Sequence, residues 1–219
     1  INWFFGYVGN FGLAIIAFTI LMRLILFPLA HASFKSMAKM KKLQPEMQRL
    51  KETYPNDRQK MQQELMALYK REGANPVAGC LPILVQIPIF FSLYKVLFVT
   101  IEMYHAPFYG WIHDLSAPDP LGILILFGLV PWDVPPILSI VNIGILPIIM
   151  GLTMWLQQKL NPAPTDPTQA KIFAILPFVF TFILAGFAAG LVLYWSVNNI
   201  LSIAQQWIIQ RKILAKPDA

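Results

Sequence analysis

The sequence predicts an all-α membrane protein in which five transmembrane helices surround a hydrophilic groove and a helical hairpin projects into the cytoplasm. Three observations lead to this prediction. The first is composition: 57% of the 219 residues are hydrophobic and only 13% are charged, whereas soluble domains carry about 25% charged residues. The second is a set of long apolar runs. The third is an uneven distribution of Lys and Arg along the chain.

Five predominantly apolar segments each contain about 20 residues, the length that spans the hydrocarbon core of a bilayer. Only helices and closed barrels satisfy their backbone groups in lipid, and continuous apolar runs without period-two alternation favour helices. The predicted spans are residues 11–30, 81–101, 137–157, 172–188 and 190–209. The apolar stretch 121–130 is too short to span and is expected to lie along the membrane surface. We expect residues 1–219 to form a single domain.

The basic residues predict the orientation of these spans. Ten of the 17 Lys and Arg residues lie between the first two spans, whereas the next loop, 102–136, has none and carries four acidic residues. Arg211 and Lys212 follow the last span. Because cytoplasmic loops are enriched in Lys and Arg, the N-terminus is predicted outside and the C-terminus in the cytoplasm. This topology also accounts for the formal net charge of +6.

The basic loop, residues 33–73, has helical periodicity and is predicted to form an antiparallel hairpin. Apolar residues recur at spacings of three and four on both sides of "YPND", where Asn56 or Asp57 can cap the second helix. In one interpretation the apolar stripes pack on each other. In the other, the Met and cation faces receive a partner, since Met surfaces adapt to varied apolar groups. The candidate residues are Met37, Lys39, Met40, Lys41, Met47, Arg49, Met61 and Leu65.

Arg23 lies inside the first predicted span, about 12 Å from its cytoplasmic end at 1.5 Å per residue. An Arg at the bilayer centre costs about 2.5–3.5 kcal/mol on insertion scales. Snorkelling covers only part of this depth, so a wet polar cavity around Arg23 is predicted. Thr19 shares its helix face, and Gln86 and a polar stripe on the last span could line the cavity. That stripe contains Tyr194, Asn198, Ser202 and Gln205, with Trp195, Asn199 and Gln206 beside it.

The polar residues of the spans also admit other interpretations. Asn and Gln often join helices to each other in membranes. An anion transporter or channel could use Arg23 as its selectivity charge, although transporters tend to contain internal repeats and none is evident. The three His residues are scattered, and no phosphate-binding Gly motif or nucleophile motif occurs. We therefore predict a protein that is not an enzyme and uses neither metal nor cofactor.

Several motifs, in order, resemble the YidC/Oxa/Alb family of membrane-protein insertases, and among them the bacterial members. They are "RLILFPL", "SMAKMKKLQPEMQRLK", "MALYKREGANPVAGCLPILVQIPIF", "APFYGWIHDLSAPDP", "ILPIIMGLTMWLQQKLNP", "TDPTQAKIFAILPFVF" and "GLVLYWSVNNILSIAQQW". The resemblance implies a five-helix core whose groove opens to the cytoplasm and to lipid. It also implies that the family's groove Arg is Arg23 and that Thr19, Phe90, Met150 and Trp195 contact substrate, with Gln86 beside Phe90.

The resemblance further implies a function and a location. Family members deliver nascent membrane proteins to the bilayer, alone or with the Sec translocon and often from ribosomes, and the hairpin is needed for insertion. We expect a monomer in the bacterial inner membrane that contacts lipid and no DNA. Relatives often have an additional N-terminal span and a periplasmic domain, so a truncated core is expected here. The chain also departs from some relatives in its longer apolar insert, 121–144, and in Trp195, where many have Tyr.

Overall fold

The computed structural model describes residues 1–79, 81–131, 133–135, 137–138, 141–164 and 167–214. Within these residues the chain is helical, and a single pair of facing residues, Gly122 and Gly144, forms an isolated antiparallel bridge. The α-helices are α1 (Asn2–Val8), α2 (Phe11–Ile25), α3 (Phe27–Lys42), α4 (Gln44–Thr53), α5 (Arg58–Arg71), α6 (Leu81–Val99), α7 (Ile145–Leu160), α8 (Pro167–Leu184) and α9 (Ala189–Leu214).

The apolar helices α2, α6, α7, α8 and α9 correspond to the five predicted spans. Judged by length and apolar content alone, one described helical stretch, 77–99, can cross a bilayer by itself, and a second qualifies when the bent pair α1 and α2 is counted as one segment. The other predicted spans do not meet this criterion because their helices are too short or too polar. α2 and α7 have 15 and 16 residues, fewer than the roughly 20 that span the hydrocarbon core, and α9 carries a row of Asn and Gln side chains.

The first predicted span, 11–30, is divided between two helices. α2 ends at Ile25, Leu26 has φ −85° and ψ 4°, and α3 starts immediately afterwards with Pro28 in its first turn. Proline lacks an N–H and fits a first turn, whereas in the interior of a continuous helix it would remove a hydrogen bond. The first predicted span therefore continues into the hairpin, with a break in the helix at Leu26. At its other end, α2 meets α1 at an angle of 118°.

The third predicted span, 137–157, starts later than expected, because α7 begins at Ile145. The carboxylate of Asp119 fixes this start: it accepts hydrogen bonds from the backbone N–H of Leu146 at 2.7 Å and of Leu121 at 3.0 Å. It also accepts one from the Trp111 indole at 3.1 Å. A negative charge at a helix N-terminus satisfies free N–H groups and complements the helix dipole. Of the residues before Ile145 in this span, 139 and 140 lie outside the described residues.

Helix α9 is the centre of the bundle. It packs along α7, α2 and α3, and its first part, including Leu191, Val192 and Tyr194, is almost completely buried. The loop after α6 covers this end of α9: Leu115 is fully buried, and its carbonyl accepts a hydrogen bond from the Gly190 N–H at 2.9 Å. The end of the bundle away from the hairpin is thereby closed.

The predicted hairpin is confirmed, with α3 and α4 as one arm and α5 as the other. Asp57 caps α5 as expected, because its carboxylate accepts a hydrogen bond from the Lys60 N–H at 2.9 Å. The arms enclose an apolar cluster that contains Phe34, Met40 and Leu65 and also includes Ile209 of α9. The hairpin is therefore packed on the end of the membrane bundle as well as on itself.

Replacing Asp119 with Ala should destabilise the fold, because three donors lose a buried carboxylate. We expect the free energy of unfolding, measured by titration with SDS in detergent micelles, to fall by about 2–3 kcal/mol. The control is Asp133→Ala, which removes an exposed carboxylate from the same loop, 102–136. It should change the free energy of unfolding by less than about 0.5 kcal/mol. Equal effects of the two substitutions would show that Asp119 does not anchor α7.

Candidate functional site

Arg23 is attached to α9 by its guanidinium group. Its Nε donates a hydrogen bond to the Asn198 side-chain oxygen at 2.9 Å, and Nη2 donates to the Asn198 backbone carbonyl at 3.1 Å. A further hydrogen bond joins Nη2 to the Ser202 hydroxyl. All three acceptors are neutral, and no ion pair between Arg23 and a carboxylate occurs within the described part of the chain. The site therefore retains a net positive charge in apolar surroundings.

A cleft lies beside Arg23, between the α2–α3 junction, α6 and α9. Its lining residues are Met22, Arg23, Leu26, Leu29, Ala30, Pro82, Val85, Gln86, Ile89, Tyr194 and Asn198. Its volume is about 40 Å³. A water needs roughly 10–15 Å³ of such volume and several polar partners, so the cleft can hold a few water molecules.

Two contacts join α6 to α9 across the cleft. The Gln86 side-chain amide donates a hydrogen bond to the Tyr194 hydroxyl. The rings of Phe90 and Trp195 meet edge to face, with their centroids 5.1 Å apart, a favourable geometry for aromatic pairs. On its other side α6 is open: only 6% of its apolar stretch is buried, and side chains such as Ile83 and Phe91 are at least 60% exposed. The helix thus forms a wall between the cleft and the surrounding lipid.

The structure brings together some of the predicted groove residues and not others. Arg23, Gln86, Tyr194 and Asn198 line the cleft, and Ser202 contacts Arg23. Phe90 and Trp195 lie half-buried next to it. Thr19 and Met150, by contrast, are 1% and 0% exposed, and the Thr19 hydroxyl donates to the Ile15 carbonyl of its own helix. A substrate role for these two remains a prediction that would require the helices to separate.

The polar residues of α9 contact two different parts of the bundle: some lie at the cleft and Arg23, and others contact α7. Tyr194 and Asn198 line the cleft, and Asn198 and Ser202 bond to Arg23; their role in binding substrate remains a prediction. Asn199 and Gln206 were expected beside the same cavity, but they face α7: Asn199 donates to the Thr153 hydroxyl at 3.1 Å, and Gln206 donates to the Asn161 side chain at 2.9 Å. For these two, the helix-joining alternative is correct.

Sequence reasoning overlooked two residues that build this region. Gln210 donates to the Leu160 carbonyl at 2.7 Å and extends the α7–α9 contact. The helical spacing of Gln206 and Gln210 was a signal that could have revealed it. Asp119 was overlooked as the anchor of α7, and no local signal could have revealed it, because its partner Leu146 is 27 positions away.

The candidate Met residues of the hairpin are mostly inside it. Met37, Met40 and Met47 are 6–8% exposed, Leu65 is buried and Met61 is half-buried. The packing interpretation therefore describes these residues, whereas Met66 is exposed. Lys39 and Lys41 are half-buried and Arg49 is exposed, so the cations remain accessible. Burial raises the pKa of Tyr69, whose hydroxyl lies 3.6 Å from the Met47 sulfur. The partner-binding role of the hairpin remains a prediction.

No group of three His, Cys, Asp or Glu side chains is positioned to hold a metal ion among the described residues. The chemistry of the cleft is that of a guanidinium, amides, hydroxyls and aromatic rings. Such groups bind and orient polar segments by charge and hydrogen bonding.

The fold and the cleft define a class of protein: a helical membrane protein with a positively charged polar cleft walled by a lipid-facing helix. Residues 3–216 match the sequence model of the family described as "60Kd inner membrane protein". The chain belongs to this family, which confirms the resemblance inferred from the motifs and the prediction of a helical membrane protein.

Individual relatives agree with this assignment. The chain is 63% identical over 216 residues to the membrane protein insertase YidC of Pelagibacter ubique, a match that covers 99% of this chain and 38% of the relative. It is 58% identical over 221 residues to that of a Ruegeria species, covering 100% of this chain and 36% of the relative. The chain thus spans less than two-fifths of the length of these curated relatives.

A solved structure shows the same fold. The crystal structure of an active YidC insertase with its first transmembrane domain resolved superimposes with a TM-score of 0.66 and 30% sequence identity. The match covers 92% of this chain and 42% of that one. The helical fold of this chain is therefore shared with a protein of this family, and the five apolar helices and the groove are consistent with it.

The burial of the hairpin Met residues has a direct test. Met47→Ala should lower the free energy of unfolding of the hairpin by about 2–5 kcal/mol, because it leaves a cavity between the arms. Met66→Ala, at a position that is 57% exposed, should change it by less than about 0.5 kcal/mol. Hydrogen exchange of the α4 and α5 amides would measure both. Similar exchange rates in the two variants would contradict a packed Met core.

Proposed function

We propose that this chain is the core of a membrane-protein insertase, which moves segments of nascent membrane proteins from the cytoplasm into the lipid bilayer. The observation that carries this proposal is Arg23: a charged side chain bonded to neutral acceptors on α9, in a small polar cleft that a lipid-exposed helix closes. The names of the relatives, membrane protein insertase YidC, support it.

In this mechanism the cleft receives a short hydrophilic segment of the substrate. Burying a polar group without a partner costs roughly 1–3 kcal/mol on protein scales. Arg23, Gln86, Tyr194 and Asn198 supply donors and acceptors that lower this cost. Because the guanidinium is not neutralised, acidic segments are attracted most. The hydrogen bonds to Asn198 keep the guanidinium directed along α9, where an entering carboxylate could replace one of them.

The apolar helix of the substrate then moves into lipid along α6. The apolar side chains that this helix exposes, such as Ile83, Leu84 and Phe91, present a hydrocarbon surface on which a substrate helix can slide. Phe90 and Trp195, which close the cleft beside Gln86, would separate during this step. Transfer of apolar surface out of water provides the driving force, at about 25 cal/mol per Å². The step uses neither a nucleotide nor a metal.

We also propose the orientation, location and partners of the protein. The basic loop and the positive-inside rule support an orientation with the N-terminus outside and the C-terminus in the cytoplasm. The family match supports a bacterial inner membrane as the location. Nascent membrane proteins are the substrates, delivered by the ribosome with or without the Sec translocon, and the chain acts as a monomer. The hairpin, whose cations remain accessible, helps to receive them.

Substitution of Arg23 tests the role of the charge. In liposomes that contain the purified chain, Arg23→Ala should reduce insertion of a single-span substrate with an acidic outer tail by at least about tenfold, whereas Arg23→Lys should retain most of it. A substrate with an uncharged tail should be affected less. Equal insertion by the three proteins would exclude attraction by the Arg23 charge.

Two adjacent asparagines provide a matched pair. Asn198→Ala removes a partner of Arg23, and Asn199→Ala removes a contact between α9 and α7. We expect Asn198→Ala to lower insertion of the acidic-tail substrate by about three- to tenfold, since the guanidinium loses its orientation. Asn199→Ala should lower thermal stability and leave insertion by the folded fraction unchanged. Loss of insertion in both variants to the same extent would contradict the assigned geometry.

An anion channel would also place an Arg in a polar cleft, so the same liposomes should be tested for chloride and phosphate flux. Flux above that of empty liposomes, lost in Arg23→Ala, together with absence of insertion would favour the channel. Insertion without flux is the result that the insertase mechanism requires.

A further inference from the structure

The apolar insert, residues 121–144, forms a loop that is closed at its base, and neither the cleft nor the proposed mechanism uses it. Its two ends meet at the bridge between Gly122 and Gly144. Two backbone hydrogen bonds, of 3.0 and 3.2 Å, join the ends: Ile123 N–H to the Ile143 carbonyl and Ile145 N–H to the Leu121 carbonyl. A Cβ atom on Gly144 would lie 2.5 Å from Cβ of Asp119, so glycine is required for this close approach. The insert therefore leaves and rejoins the bundle at one point, directly before α7.

The first half of the insert exposes apolar side chains on the surface of the molecule. Leu126 and Leu129 are 56% and 83% exposed, and Ile123, Phe127 and Val130 are 37–44% exposed. We call these five residues the apolar tip. Leu126 and Phe127 also have left-handed backbone angles, with φ of 45° and 57°, which cost energy in residues other than glycine. An apolar medium around the tip would remove this surface from water and offset that cost.

Much of the backbone around the apolar tip is hydrogen-bonded within the insert itself. N–H groups donate at 3.0–3.3 Å to acceptors inside residues 121–144, as follows: Ile123 to the Ile143 carbonyl, Leu124 to the Asn142 side-chain oxygen, Phe127 to the Gly122 carbonyl, Leu129 to the Leu126 carbonyl and Val130 to the Ile125 carbonyl. A segment that enters lipid must pair its backbone groups internally, because no water is available to them there. The tip therefore meets a requirement for contact with lipid that a loop in water does not have.

The charge and the position of the insert also favour lipid. From residue 120 to residue 158 the sequence contains one charged residue, Asp133, which lies outside the apolar tip. The insert leads directly into α7, where Ile148, Ile149 and Leu152 are 36–60% exposed on the surface of a membrane helix. α7 has 16 residues, or about 24 Å at 1.5 Å per residue, whereas the hydrocarbon core measures about 30 Å. Residues next to this short helix must therefore also lie against lipid.

From these observations we propose that the apolar tip is a membrane anchor, immersed in the headgroup and upper acyl-chain region of the leaflet opposite the hairpin. In the orientation proposed above this is the outer leaflet. Immersion is shallow, about 5–10 Å, because an irregular backbone does not enter the centre of the hydrocarbon. The anchor extends the lipid-facing surface of α7 and holds the start of this helix, which Asp119 caps, at the membrane surface. This role goes beyond the proposed function and does not depend on it.

Fluorescence quenching in liposomes tests the anchor. In a chain that carries Cys80→Ser, Leu129→Cys provides a single site for a nitrobenzoxadiazole label. The quenchers are iodide, present in the water on both sides of the membrane, and phosphatidylcholine with a nitroxide on its acyl chain. His113→Cys, at an exposed position of the preceding loop, is the control for water, and Leu152→Cys, 60% exposed on α7, is the control for lipid. No substrate is inserted, so the outcome is separate from that of the proposed function.

We expect iodide to quench the label at Leu129→Cys at least about threefold less than the label at His113→Cys, and the nitroxide lipid to quench it nearly as strongly as at Leu152→Cys. Leu126→Cys, at a second position of the apolar tip, should give the same result, so the conclusion does not rest on one variant. Equal iodide quenching at Leu129→Cys and His113→Cys would overturn the anchor, because the tip would then lie in water. Protection from both quenchers would also overturn it, because protein, such as a second copy of the chain, would then cover the tip.

Discussion

The bond between the Arg23 guanidinium and α9 determines how the rest of the bundle is arranged. An Arg within an apolar helix is costly in lipid, and the cost falls when its five donors find acceptors. Asn198 and Ser202 provide these acceptors on one face of α9. The first spanning helix is consequently held against the last one, although they are far apart in the chain. The cleft lies beside this contact, where the guanidinium meets α6 and the α2–α3 junction.

Around this contact the protein has a fixed side and a loosely held side. α7 is joined to α9 by side-chain hydrogen bonds at several levels, and its start is set by the buried carboxylate of Asp119. α6 is instead exposed along most of its length. Apart from the packing of Leu93 and Leu97 in the central core, it meets α9 through one hydrogen bond and one aromatic pair. A wall that has few contacts can move at little energetic cost. The asymmetry places the loosely held wall between the polar cleft and lipid, which is where the proposed insertion of a substrate helix would take place.

The hairpin is connected to both sides. Its apolar cluster includes Ile209 of α9. The Ser33 and Ser36 hydroxyls of its first arm donate hydrogen bonds to the carbonyls of Ala78 and Asn75, in the segment before α6. This continuity is a consequence of the break at Leu26, which lets a single chain leave the membrane helix and form the hairpin arm without a flexible linker.

The sequence by itself determined the class of protein, the approximate spans, the hairpin and the presence of Arg23 inside an apolar helix, because hydropathy, periodicity and an isolated charge can be recognised from neighbouring residues. Its motifs also identified the family. Only the tertiary structure decided that Asn198 faces Arg23 while adjacent Asn199 faces α7, that Thr19 and Met150 are enclosed, and that α7 begins at Ile145. The direction in which a polar residue of a buried helix points depends on which distant helices pack against it, and the start of α7 depends on a carboxylate contributed from a remote loop. These side-chain directions and the start of α7 give buried polar groups their hydrogen-bond partners across the whole bundle. No local segment of the sequence specifies those partners.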